Sequence, residues 1–109
     1  MSIQNYIHDG STLAGAAAVQ GIAVPALTKR VIRAATLCNS SAAAVAASVY
    51  LVPSGGNPDA TNIMISARTI APGESYPCPE LVNQGLNAGG SVQALGAGLT
   101  FKYSATDIA

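Results

Sequence analysis

A chain of 109 residues accommodates one domain and one core. Charged residues are 9% of it, and five Lys plus Arg balance five Asp plus Glu, where soluble domains usually carry roughly 25% charge. A neutral chain lacks the basic footprint of a nucleic-acid binder or of a polybasic membrane-surface protein, and no apolar run approaches the roughly 18 residues of a membrane span.

Residues 1–21 read as an N-terminal arm. Ser2–Ser11 is mostly polar, and Thr12–Val19 is an Ala/Gly segment whose flanking Gly10, Gly15 and Gly21 oppose a long helix. Arms of this kind order against a neighbouring subunit. The start has no basic stretch followed by an apolar one, so no secretory leader is expected and a cytoplasmic origin is. Cys38 and Cys78 are then expected to be reduced and to pack as small apolar residues.

Residues 22–109 read as the folded domain. Ala17–Val24 is a first strand, closed by Pro25, and Lys29–Asn39 a second. The basic Lys29, Arg30 and Arg33 suggest an exposed or edge position for its beginning. Asn39-Ser40-Ser41 is a turn cluster. In Ala43–Val52, Val45, Ala47, Val49 and Leu51 fall on one phase of a period-two pattern, which is a strand with one buried face. Ser54–Asp59 is a loop. Asn62–Ile70 is the next strand, with Ile63, Ile65 and Ala67 in phase.

Pro72-Gly73 suits the centre of a type II turn. Glu74–Cys78 is a short strand held to an edge by Pro77 and Pro79. Glu80–Leu86 contains one helical or 3₁₀ turn. Ser91–Leu95 and Leu99–Ser104 form a final pair across Gly96-Ala97-Gly98. The expected fold is all-β: a single antiparallel β-sandwich, jelly-roll or Ig-like, of about seven to eight strands with an extended N-terminal arm. Ala fills 21 of the 109 positions and aromatics are 5%. Small side chains bury little area at roughly 25 cal/mol per Å², so the core is expected to be thin and to gain stability from partner chains.

Reactive chemistry is sparse. His8 and Asp9 are adjacent and point apart on an extended chain, which does not make a nucleophile–base–acid site. Glu74 and Glu80 flank a Pro-rich turn, and no Trp exists to stack a sugar. The glycine pairs fit no phosphate loop. Asn57 and Asp59 are too few oxygen ligands for calcium, and the two cysteines lack zinc spacing. No catalytic residue, cofactor or metal is assigned, and the chain is not expected to be an enzyme. The residues expected to contact partners are Tyr6 and His8 on the arm, Arg30 and Arg33 on the basic strand, and Tyr50, Arg68 and Tyr76. Arg and Tyr combine apolar area with a polar tip, which suits interfaces.

Three stretches carry a resemblance: Ala35–Ser41, Val49–Gly56 and Ile65–Tyr76. Pro79-Glu80-Leu81-Val82 followed by Leu86-Asn87-Ala88-Gly89-Gly90-Ser91-Val92-Gln93-Ala94 extends it over roughly residues 30–104. The pattern resembles small β-sandwich virion structural proteins of tailed bacteriophages. The resemblance implies a capsid decoration or cement protein that binds the major capsid protein shell as a homo-oligomer and resides in the virion, assembled in the host cytoplasm. A neck, tail or fibre-base component is the alternative, with another virion protein as partner. A receptor- or glycan-binding module is a third reading.

Overall fold

The computed structural model describes residues 2–109. The strands are β1 (Ile3–Thr12), β2 (Ala18–Val19), β3 (Lys29–Cys38), β4 (Val45–Val52), β5 (Ile63–Ile70), β6 (Ser75–Tyr76), β7 (Gly85–Leu86), β8 (Ser91–Leu95) and β9 (Thr100–Ile108), with a 3₁₀ turn at Pro79–Leu81. They form two antiparallel sheets. One runs β1-β9-β3-β6, with β7 also paired to β3; the other runs β2-β8-β4-β5. The fold is therefore an all-β sandwich. The described residues form nine strands, more than the expected seven to eight, because the segment read as an arm pairs as β1 and the two-residue β7 lies where a helical turn was expected.

The core lies between the sheets. Ile32, Ala35, Leu37, Phe101, Tyr103 and Ala105 come from the larger sheet, and Ala47, Val49, Ile65, Ile70, Val92 and Ala94 from the smaller. Leu13, Val24, Cys78, Leu81 and Leu99 close the ends. The accessible surface is 5551 Å², close to the roughly 5,500 Å² expected of a folded monomer of this mass. The single chain thus buries its small side chains as completely as an ordinary monomer does.

Bulges decide which residues reach that core. On β3, Ile32 is opposite Ala105 and Ala34 opposite Ser104, so Arg33 is an extra residue and reverses the alternation. Arg30 and Ile32 face inward before it, and Ala35 and Leu37 after it. On β5, Arg68 is opposite Ala47 but Ile65 opposite Val49. The extra length is taken up at Ala67, whose φ of 46° is left-handed and whose N–H donates to Ser48 Oγ at 2.9 Å. Ala67 is consequently exposed, against the expected run of Ile63, Ile65 and Ala67 on one buried face.

Two further expectations are corrected. The beginning of β3 is not at an edge, because β9 flanks it on one side and β7 on the other. Nor do β8 and β9 pair with each other. β8 joins β4 and β2, and β9 joins β3 and β1. The intervening Gly96 adopts φ 145° and Gly98 φ 88°, and the N–H groups of both bond to Ala14 and Leu13 carbonyls. This segment carries the chain across the sandwich instead of turning it back.

The Pro72-Gly73 turn closes as expected, with Gly73 at φ 76° and Glu74 N–H donating to Ala71 O at 3.0 Å. Beside it, Asn39 is fully buried. Its Nδ2 donates to Ala43 O at 2.8 Å and Ile70 O at 2.9 Å, and its Oδ1 accepts from Ser41 N–H and Oγ–H. The turn cluster after β3 is thereby tied to the end of β5. Residues 3–12, read from sequence within the arm, are extended, and they run as the outermost strand of the larger sheet, paired with β9 nearly throughout.

Candidate functional site

The seven residues expected to touch partners fall into two clusters and two separate positions. The first cluster fills one end of the sandwich. Arg30 is 0% exposed. Its Nε and Nη2 donate to Asp107 Oδ1 and Oδ2 at 2.8 and 3.0 Å, and its Nη1 donates to Ile22 O at 2.7 Å. Arg30 and Asp107 are opposite each other on β3 and β9. The guanidinium carbon sits 3.9 Å from the centre of the Tyr6 ring, a cation–π stack in a desolvated setting. Burial works against the charge, but the Asp107 carboxylate outweighs it and holds the guanidinium pKa above its usual value. Arg30 is therefore an internal strut, which corrects its expected role as a partner contact on an exposed strand.

Tyr6 and His8 project from β1 toward the same interior. Tyr6 Oη accepts the Ile22 N–H at 2.9 Å, and its ring lies 5.9 Å from that of Tyr103. His8 packs against Tyr103 at 5.3 Å and Phe101 at 6.4 Å between ring centres. Ser11 Oγ donates its one proton to Gln20 Oε1, so it accepts from His8 Nε2, 3.0 Å away. His8 Nε2 then carries a proton. Burial lowers the imidazole pKa, with Asp9 opposing. Gln20 completes the chain by donating from Nε2 to Ala18 O at 3.0 Å, and Tyr103 Oη donates to Gln20 O at 2.8 Å.

The second cluster is Arg68 stacked on Tyr76, again at 3.9 Å from guanidinium carbon to ring centre. Arg68 is exposed and Tyr76 buried. The Tyr76 hydroxyl proton is shared between Glu80 Oε1 at 2.7 Å and Oε2 at 2.6 Å. Burial first, then the Glu80 carboxylate, pushes the Tyr76 phenol up to about 12. Burial likewise raises the Cys78 thiol to about 12, so it is an inert core thiol. Both cysteines are free.

Arg33, at the β3 bulge, is exposed and donates from Nε to Thr106 Oγ1 at 3.0 Å. Tyr50 is half-buried on β4, in register with Gln93 and Ile63. Sequence reasoning missed Asp107 and Gln20, which anchor the first cluster. No local signal marks either residue, because β3 carries Lys29 and Arg33 beside Arg30 and the last strand reads from sequence only to Ser104.

The outer face of the larger sheet carries an open groove of about 560 Å³, lined by Asp9, Ser11, Thr36, Cys38, Thr100 and Lys102 among others. Hydroxyls, one ammonium and one carboxylate line it, without a base held by an orienting acid. Among the described residues there is no group of three or more His, Cys, Asp or Glu placed to hold a metal. The exposed large apolar side chains include Ile3 and Ile7 on β1, at 63% and 55% exposure. β1 has only β9 beside it. The most interaction-ready feature is therefore the free edge of β1 with the adjoining outer face.

No protein-family model and no curated protein matches the chain. Among solved structures it is similar to a chain in "Structure of infectious bursal disease virus Gx strain", at 14% identity and a TM-score of 0.34. That alignment covers 96% of this chain and 28% of the viral one. At so low a TM-score the fold assignment stands on the strand pairings described above.

Proposed function

We propose that this chain is a virion structural protein of a tailed bacteriophage, a capsid decoration or cement protein that binds the major capsid protein shell as a homo-oligomer. The carrying observation is the ten-residue β1, an edge strand with exposed Ile3 and Ile7 on a rigid sandwich whose buried charges are internally compensated. A homo-oligomer that staples a shell needs such a body, with peptide groups and apolar side chains along one edge to join its own copies and the adjoining outer face left to meet the shell. Multivalent attachment to a lattice then amplifies modest single contacts. The sequence resemblance across residues 30–104 supports the same reading. A neutral chain also avoids repulsion between closely spaced copies.

The test is addition of purified protein to empty phage heads. Saturable binding, in copy numbers set by the capsid lattice and with a raised head-disruption temperature, supports the proposal. Binding to neck or tail parts with none to heads overturns it in favour of the neck, tail or fibre-base reading. Binding to host cells or glycans alone overturns it in favour of a receptor-binding module.

A further inference from the structure

The β1–β9 ladder fixes which way each β1 peptide group points. Ser2 and Ala109 exchange both backbone hydrogen bonds, at 2.9 and 2.8 Å. In an antiparallel ladder such pairs alternate with pairs that exchange none. Gln4, Tyr6 and His8, opposite Asp107, Ala105 and Tyr103, therefore direct N–H and C=O at β9. Ile3, Asn5 and Ile7 direct theirs away from it, at the free edge. The side chains of these three lie on the exposed outer face.

Edges of this kind are ordinarily blunted by shortness, charge, proline or a bulge. The other outer strands of this molecule are blunted in that way. β2, β6 and β7 have two residues each, Pro77 follows β6, and β5 is bulged and bears Arg68. From Ile3 to His8 there is no Lys, Arg, Asp, Glu or Pro, and the β1 irregularity comes only after His8.

We propose that β1 pairs antiparallel with β1 of a second copy, about a twofold axis at Asn5. Ile3 lies opposite the partner's Ile7, Asn5 opposite the partner's Asn5, and Ile7 opposite the partner's Ile3. Only this register lets each outward peptide group of the three exchange both hydrogen bonds while matching isoleucine with isoleucine. A one-residue slip sets outward groups against groups already bonded to β9. A two-residue slip loses both Ile–Ile contacts and leaves a peptide pair unmatched. The same surface on both copies makes the contact isologous and closed, and the larger sheets join into one. The contact supplies the homo-oligomer of the proposed function, on which the inference rests.

The experiment uses the purified full chain without capsids, so its failure is separable from failure to bind heads. Sedimentation and light scattering should find a concentration-dependent dimer. Ile7→Lys should weaken it by about tenfold or more. Asn5→Pro should do the same while the fold stays intact, because the lost N–H points away from β9. In a Cys38→Ser background, Asn5→Cys should form a disulfide-linked dimer under mild oxidation, since paired Cα atoms lie about 5.5 Å apart, whereas Ile7→Cys should not. A monomeric or trimeric parent, a dimer unchanged by folded Ile7→Lys, or cross-linking through Ile7→Cys instead of Asn5→Cys would overturn the proposal.

Discussion

Arg30 and Asp107 form a two-point ion pair between neighbouring strands at a position where the arginine is wholly enclosed. The fold depends on this pair more than on any exposed charge. Removing one partner of a buried pair leaves an uncompensated charge, at a cost of about 3–5 kcal/mol. Asp107→Leu should lower unfolding free energy by about that amount. The double change Arg30→Met with Asp107→Leu should cost clearly less than either single change. Urea unfolding of the four proteins in a double-mutant cycle checks both statements, and equal, additive losses would contradict them.

Gly21 lies against the two tyrosines of the same cluster. Its φ is 76°, and a Cβ there would meet Tyr6 Oη and come within 3.0 Å of Tyr103 Oη. Both hydroxyls are held by hydrogen bonds and cannot simply withdraw. Gly21→Ala should therefore destabilise by more than the roughly 1 kcal/mol of a left-handed alanine alone. Gly55→Ala provides the comparison, since that glycine has a similar φ of 74° and open space around it. Thermal melts of the two variants should differ, with Gly21→Ala the lower.

His8 makes stability depend on pH in a definite direction. The folded chain prefers its neutral imidazole, because burial lowers the pKa below the usual value. The stabilisation is thus complete above about pH 6.5 and is lost as pH falls through the lower, folded-state value. His8→Gln removes this dependence. Urea midpoints on either side of the transition should converge for the variant relative to the parent. An unchanged difference would show that His8 does not titrate in this way.

Tyr76 has the opposite pH window. A phenol pushed up to about 12 holds its proton more tightly folded than unfolded. Its stabilisation is whole below about pH 10 and is lost as pH climbs from there through 12. Tyr76→Phe should delete one late phenolate step from the ultraviolet titration. Glu80→Gln should move that step to lower pH by removing the carboxylate that accepts the proton.

Residues 45–52 and 63–70 are readable as strands, and Pro72-Gly73 as a turn, from sequence alone. Alternation and the φ preferences of Pro and Gly are local properties. The all-β class follows from several such segments separated by such turns. Which strands become neighbours is not local. Gly96-Ala97-Gly98 looks like a hairpin connection, yet it sends β8 and β9 to different sheets. Arg33 and Ala67 each reverse a strand's phase without any compositional mark, because a bulge is set by the pairing partner. Arg30 looks like a surface charge until Asp107, 77 residues away, is brought beside it. The chain's own chemistry thus determined that it would build sheets from small side chains with almost no reactive groups. Only the folded arrangement decided which charges went inside and left β1 as the open edge, since those outcomes depend on hydrogen bonds and ion pairs between distant segments.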